Sequence, residues 1–178
     1  MLLKILCLSA VSYILSAVPC AGTGLAETAV PLEMTMVMLR SGPGLPVFEL
    51  RLRNTGDHDL VLSVGLLVGT KQYPEAVHFL VTDRSGFTYR LVRKGSLAGL
   101  AGRADPLIVS LPMEASFNFP VDLARYCTFS KGCPLHLPLG RYTIKADYDS
   151  TDDQNSEMFL IWRGQLHTAA IPFVVDGN

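Results

Sequence analysis

The chain has 178 residues, with 15 lysines and arginines against 16 aspartates and glutamates, and a formal net charge of −1. No basic stripe is present to neutralise phosphates, so nucleic acid is not an expected partner. Proline and glycine are spread along the chain rather than gathered into one linker. We therefore expect one domain, residues 27–178, which at about 150 residues can bury a proper core.

The N-terminus is typical of a secretory signal. Met1–Lys4 is short and basic, and Ile5–Val18 is apolar or small and uncharged. An apolar run of about 14 residues is too short to span a bilayer comfortably, which takes about 20. We predict a signal peptide of residues 1–26, with cleavage after Gly22 as the alternative site and an uncleaved anchor as the alternative role.

This leader predicts a secreted, periplasmic or cell-surface protein with no transmembrane segment once the signal is removed. Cys20 raises the question of a lipid anchor, which usually follows leucine, a small residue and then glycine or alanine. Here Pro19 directly precedes the cysteine, so lipid anchoring is disfavoured. We expect a soluble or peripheral protein after processing.

Residues 47–69 carry the clearest structural pattern. Apolar and polar residues alternate over Val47–Arg53, and a period of two places them on opposite faces of a strand. Asn54–Asp57 supplies turn chemistry, and the alternation resumes over Leu60–Leu66. The pattern predicts two strands joined as a β-hairpin or as a sheet corner.

Further short strands are predicted, with turn signals about every ten residues. They lie at Leu32–Leu39, Ala76–Thr82, Phe87–Val92, Leu107–Leu111, Phe117–Val121, Leu139–Tyr148, Phe159–Trp162 and Leu166–Val175. Pro120 marks an edge strand, and Leu123–Tyr126 suits a helical turn. Strands and helices do not alternate as in a parallel sheet, so we predict an all-β, antiparallel sandwich of about eight or nine strands.

Two segments resemble immunoglobulin-like domains of secreted bacterial proteins. Asn54–Gly56 (NTG) is similar to the turn between the first strands of many such domains. Leu139–Ile144 (LGRYTI) is similar to their P-G-x-Y-x-φ entry to a late strand, where φ is apolar, although leucine replaces the usual proline. The resemblance implies an immunoglobulin-like fold and transfers no active site.

Two cysteines in the body of the chain, Cys127 and Cys133, are six residues apart. In an oxidising compartment a local disulfide is the simplest interpretation. Free thiols are an alternative, as is a metal site that includes His136. Zinc sites usually have closer cysteine pairs and four ligands, so we predict the disulfide.

An acidic stretch flanked by aromatic residues is the main candidate ligand site. Its members are Tyr148, Asp149, Asp152, Asp153, Glu157, Phe159 and Trp162. Aromatic rings beside carboxylates can form a sugar platform, and hard cations such as calcium bind several carboxylate oxygens. The alternatives are a solvated loop and a tryptophan in the core. The candidate ligand-binding residues are Tyr148, Asp149, Asp152, Asp153 and Trp162.

Motifs for catalysis are absent from the sequence. It contains no Gly-x-Ser-x-Gly elbow, phosphate loop or His-Glu-x-x-His segment, and four histidines are scattered at His58, His78, His136 and His167. We therefore expect no cofactor and an exported non-catalytic domain that binds a protein or a cell-surface ligand. The alternatives are a carbohydrate-binding module, with or without calcium, and an enzyme whose site is assembled only in three dimensions.

Overall fold

The computed structural model describes residues 31–41, 44–68, 71–94, 104–128, 133–151 and 161–176. These residues form twelve strands and one 3₁₀ turn, Leu123–Arg125. The strands are β1 (Leu32–Arg40), β2 (Val47–Asn54), β3 (Leu60–Val68), β4 (Lys71–Tyr73), β5 (Val77–Asp83), β6 (Thr88–Arg93), β7 (Ala104–Leu111), β8 (Ser116–Asp122), β9 (Tyr126–Thr128), β10 (Gly140–Asp149), β11 (Gln165–His167) and β12 (Ile171–Val175). The predicted signal peptide, with Cys20, lies outside the described residues.

The strands form three antiparallel sheets, so the all-β prediction is confirmed. Sheet A has the order β1-β2-β8, sheet B has the order β4-β3-β7, and sheet C has the order β11-β10-β5-β6-β9, with β12 also paired to β10. No helix long enough and apolar enough to cross a membrane occurs in the described part of the chain.

The segment joining β2 to β3 is a sheet corner, because β2 pairs in sheet A and β3 pairs in sheet B. Asn54, which is fully buried, holds this corner. Its side-chain amide donates to the carbonyls of His58 and Leu111 at 2.8 and 3.0 Å, and its side-chain oxygen accepts from the Gly56 amide. The predicted turn chemistry therefore serves to move the chain between sheets.

Alternation along β10 places one row of side chains in the core. Tyr142, Ile144, Ala146 and Tyr148 are all buried, as the sequence pattern predicts. The three sheets contribute to one apolar cluster, and sheets A and C meet where the rings of Phe48 and Phe173 pack edge to face, 5.9 Å apart.

The predicted strand Leu166–Val175 is wrong in one respect, because it is two strands, β11 and β12. The interruption lies at Thr168, whose side-chain oxygen accepts from the Ala146 amide while its own amide donates to the Ala146 carbonyl. The Thr168 hydroxyl thus takes the place of a backbone carbonyl as the acceptor for the Ala146 amide, and the regular ladder along β10 is interrupted at this position. Of the predicted strand Phe159–Trp162, Phe159 and Leu160 lie outside the described residues, and Ile161 forms an isolated parallel bridge with Val61.

Consecutive strands β7 and β8 do not pair with each other, although the connection between them is short. β7 pairs with β3, and β8 pairs with β2. If they formed a hairpin with Leu111 opposite Ser116, Pro106 would face Val121 and Pro120 would face Leu107. Proline cannot donate to a ladder, and hydrogen-bonded and non-hydrogen-bonded pairs alternate in an antiparallel ladder, so one of these two adjacent pairs would lack a hydrogen bond. Sheets A and B are not joined by strand pairing at this point.

Candidate binding cleft

Tyr148, a predicted sugar-platform residue, is 1% exposed. Its ring is stacked on Trp162, with centroids 5.8 Å apart and planes 14° apart, and its hydroxyl donates to the Ser63 carbonyl. A ring buried in this way presents no face to a sugar in the described structure, so this geometry gives no support to Tyr148 as a ligand-binding residue, which stays a prediction. Tyr148 shares its strand face with the core residues of β10, and this burial was readable from the alternation.

Trp162 is partly buried and packs against the core. The Trp162 ring lies directly against Gly164. A Cβ added at Gly164 would be 2.6 Å from two carbons of the ring. Because Tyr148 stacks on the same indole, Trp162 acts as packing in the described structure. A carbohydrate-binding module built on this ring gains no support from the geometry.

Asp149 is exposed at the end of β10, where its carboxylate is engaged locally. One oxygen accepts from the amide and hydroxyl of Thr151, and the other accepts from the Gln165 side chain at 2.9 Å. The hydrogen bonds from Thr151 lower the pKa of Asp149 below its usual value. Asp152 and Asp153 lie outside the described residues, so a calcium site at this loop stays a prediction.

Cys127 and Cys133 form a disulfide, as predicted, with their Cα atoms 4.7 Å apart. Both thiols are consumed by this bond, so the alternatives of free thiols and of a metal site with His136 do not apply. A disulfide fits an extracellular or periplasmic location, because such bonds persist in oxidising compartments.

A cleft of about 680 Å³ opens where sheets A and B separate. On one side it is lined by Val64 and Leu107 of sheet B, and on the other by Phe117 and Phe119 of sheet A. Leu107 and Phe117 are only partly buried, so apolar surface is accessible inside the cleft. The volume falls within the range of about 300–1,000 Å³ that is usual for ligand sites.

Among the described residues, three arginines and one aspartate supply the charges of the cleft: Arg40, Arg93, Arg125 and Asp122. The Arg125 Nε lies 3.4 Å from a carboxylate oxygen of Asp122. Arg93 donates to the Gln72 carbonyl, and its guanidinium lies over the Tyr73 ring, 5.2 Å from the centroid. Asp122 thus offsets one arginine, and two positive charges remain to face an anionic ligand.

Tyr126 of sheet C lines the same cleft and is 6% exposed. Its ring packs edge to face on Phe79, 5.4 Å away. Burial raises the pKa of Tyr126 to about 12, an effect that Arg93 and Arg125 oppose. The hydroxyl is therefore neutral at physiological pH and is available as a hydrogen-bond donor.

Two of the scattered histidines come together on sheet C. Strand pairing places Asp147 between His78 of β5 and His167 of β11. Positively charged side chains already contact these groups. The Arg90 guanidinium lies 3.1 Å from the His78 ring nitrogens, and the Lys145 ammonium lies 3.3 Å from an Asp147 carboxylate oxygen. Within the described ranges, no group of three or more histidine, cysteine, aspartate or glutamate side chains is placed to hold a metal ion.

Sequence reasoning did not single out the arginines of the cleft. Arg40, Arg93 and Arg125 lie on different elements, far apart in the chain, and only the pairing of the strands brings them to one place. The two prolines were nevertheless visible in the sequence, since Pro120 lies within the predicted strand Phe117–Val121 and Pro106 directly precedes the predicted strand Leu107–Leu111.

Comparisons with known proteins give distant structural likenesses. No family model matches the chain, and no curated protein matches it. A crystal structure described as the putative ApaA protein from Bordetella pertussis is 18% identical, with a TM-score of 0.36, over 81% of this chain and 91% of that one. An X-ray structure of a Northeast Structural Genomics Consortium target is 13% identical, with a TM-score of 0.30, over 81% and 83% of the two chains. At these TM-scores neither likeness carries an argument, so the site is argued from its own residues.

Proposed function

We propose that this chain is an exported, non-catalytic immunoglobulin-like β-sandwich that binds a partner protein in the cleft between β7 and β8. The observation that carries the proposal is the failure of these consecutive strands to pair. Their separation leaves accessible apolar surface at Leu107 and Phe117 in a cleft that Arg40, Arg93 and Arg125 also line. Contiguous apolar surface with a polar rim is typical of protein interaction sites.

The chemistry of the lining supports binding rather than catalysis. Among the described residues that line the cleft there is no histidine, cysteine, serine or threonine, and the one carboxylate, Asp122, is engaged by Arg125. A general base or an activated nucleophile is usually one of these groups, a lysine or a tyrosine, and no lysine is among the described lining residues. The hydroxyl of Tyr126, with its raised pKa, is suited to donating a hydrogen bond and not to abstracting a proton.

Export is the second part of the proposal. It is supported by the disulfide between Cys127 and Cys133 and by the predicted signal peptide, residues 1–26. The immunoglobulin-like sandwich is supported by the antiparallel sheets around one core. Such a scaffold commonly uses loops and sheet edges for recognition.

Site-specific photo-crosslinking tests the proposal. We place p-benzoylphenylalanine at Phe117, inside the cleft, and as a matched control at Phe87, which is 55% exposed on the β5–β6 turn. The expected result is an adduct from position 117 in the producing cells, absent from position 87 and lost when Leu107→Glu is added. Adducts of equal yield at both positions, or none at 117 in a protein with a native circular dichroism spectrum, would contradict it.

A further inference from the structure

We infer that the cleft binds an acidic peptide segment with apolar side chains, and that it holds this segment by side-chain contacts rather than by adding it as a strand to a sheet. This inference rests on the proposed function and specifies the chemistry of the partner. Three features of the cleft carry it: its blunted edges, its accessible apolar walls and its excess of arginine.

The prolines in the two edge strands argue against the addition of a peptide strand to either sheet. Both strands that border the cleft are sheet edges and contain a proline, Pro106 opposite Leu66 in sheet B and Pro120 opposite Glu49 in sheet A. A strand added to either edge depends on a continuous row of outward amides and carbonyls. Proline has no amide hydrogen to offer, so neither edge provides a complete row.

The apolar walls define what enters the cleft. Phe117 and Leu107 are partly exposed on opposite walls, and Leu39 at the rim is 57% exposed. Covering these groups with apolar side chains removes further surface from water and favours binding by about 25 cal/mol for each Å² buried. An exclusively polar or charged segment would gain nothing from them.

The arginines define the charge of the partner. Arg40 makes no hydrogen bond or ion pair with the rest of the described chain, which leaves its guanidinium open to a ligand. Arg93 is fixed by the Gln72 carbonyl and the Tyr73 ring, and a fixed guanidinium loses little entropy when it binds a carboxylate. Charge complementarity therefore favours carboxylates beside the apolar anchors.

Fluorescence anisotropy with defined peptides tests this inference. The probe is fluorescein-labelled GDLDFEG, compared with its amide counterpart GNLNFQG, with the basic GKLKFKG and with GDGDGEG, which lacks apolar anchors. We expect the acidic apolar probe to bind at least about tenfold more tightly than each of the other three, which corresponds to about 1.4 kcal/mol. Its affinity should also fall as salt is raised, because screening weakens charge pairing.

Variants show whether the binding uses the cleft. Arg40→Gln and Arg93→Gln should each weaken the probe at least about threefold, whereas Arg84→Gln, on an exposed turn outside the cleft, should not. Arg93→Lys, which keeps the positive charge, should recover part of the affinity lost in Arg93→Gln, because the inference attributes that loss to the missing charge. Equal affinity for the acidic and amide peptides, or binding insensitive to both arginine substitutions, would overturn the inference.

The outcome also separates this inference from the proposed function. A specific adduct at Phe117 together with no preference for the acidic apolar peptide would leave the cleft as a protein-binding site and reject the acidic class of partner. Binding of decanoate, an apolar chain with a carboxylate, in the absence of peptide binding would reject a peptide ligand. Absence of both the adduct and peptide binding would reject the cleft itself.

Discussion

The Tyr148 hydroxyl donates a hydrogen bond to the Ser63 carbonyl, 3.0 Å away and 85 residues distant in the chain. This bond links β10 of sheet C to β3 of sheet B. Ser63 lies at a register shift in the pairing of β3 with β7, between Ser63 and Gly65. The tyrosine thus satisfies a buried carbonyl beside Val64, a residue that lines the cleft.

Tyr148→Phe should lower the free energy of unfolding by about 1–2 kcal/mol, because the buried Ser63 carbonyl loses a partner. The measurement is urea denaturation followed by circular dichroism. Tyr142→Phe is the matched control, since the Tyr142 hydroxyl donates to the Pro138 carbonyl at a partly buried site. Its removal should lower the free energy of unfolding by less than Tyr148→Phe does. An unchanged midpoint for Tyr148→Phe would show that the link between the sheets does not stabilise the fold.

Gly65→Ala should destabilise the protein by more than about 3 kcal/mol or prevent its folding. Gly65 has a φ of +154°, and an added Cβ would lie 2.0 Å from the Tyr73 carbonyl oxygen. Gly86 has a φ of +88°, but the surrounding space is open. Gly86→Ala should therefore lower the free energy of unfolding by only about 1 kcal/mol. Thermal unfolding of both variants tests this, and similar losses would show that the crowding at Gly65 is relieved by local movement.

Replacing both Pro106 and Pro120 with valine should allow β7 to pair with β8, because both missing amide donors are restored. We expect slower hydrogen exchange at the Leu107 and Ile108 amides and weaker binding of the acidic peptide as the cleft narrows. Each single variant should have a smaller effect, since one proline without an amide donor persists. Exchange rates equal to those of the wild type would mean that other packing holds the strands apart.

Replacing Cys127 and Cys133 with serine should lower the free energy of unfolding by about 2 kcal/mol, as the chain-entropy model gives for so short a loop. Reductant should shift the denaturation midpoint of the wild type toward that of the double variant and leave the variant unchanged. The prediction is contradicted if the reduced wild type is as stable as the oxidised protein.

Acidification from pH 7 should destabilise the fold in part through His78. Burial, and then the positive charge of Arg90, lower the pKa of His78 below its usual 6.5. Between the folded value and 6.5 the unfolded chain therefore binds more protons, so the free energy of unfolding falls as the pH is lowered through this window. Thermal unfolding of His78→Gln across the same range should show a shallower pH dependence, and an identical slope would remove His78 as a cause.

Much of the fold was readable because alternation reports burial directly. The pattern over β2 and β10 predicted both strands and their inward rows, and Pro120 correctly marked β8 as an edge. The pattern could not decide between hairpin and corner at Asn54, because that depends on a hydrogen bond to Leu111, 57 residues away. The division of Leu166–Val175 likewise depends on Thr168 finding Ala146.

The candidate site was harder to predict than the fold. Proximity in sequence grouped Tyr148 and Trp162 with an acidic stretch, whereas strand geometry turns Tyr148 inward. The cleft is assembled from residues on all three sheets, such as Arg40 and Arg93, whose spacing in the chain carries no pattern. Only long-range strand pairing determines that they face one space.

Chemical-shift mapping by NMR tests the central claim most directly. Titration of the ¹⁵N-labelled protein with GDLDFEG should shift the amide signals of Val64, Arg93, Leu107 and Phe117, and leave those of His167 on sheet C unchanged. A saturating titration in which the shifts centre on β11 and leave these cleft signals unmoved would contradict the account.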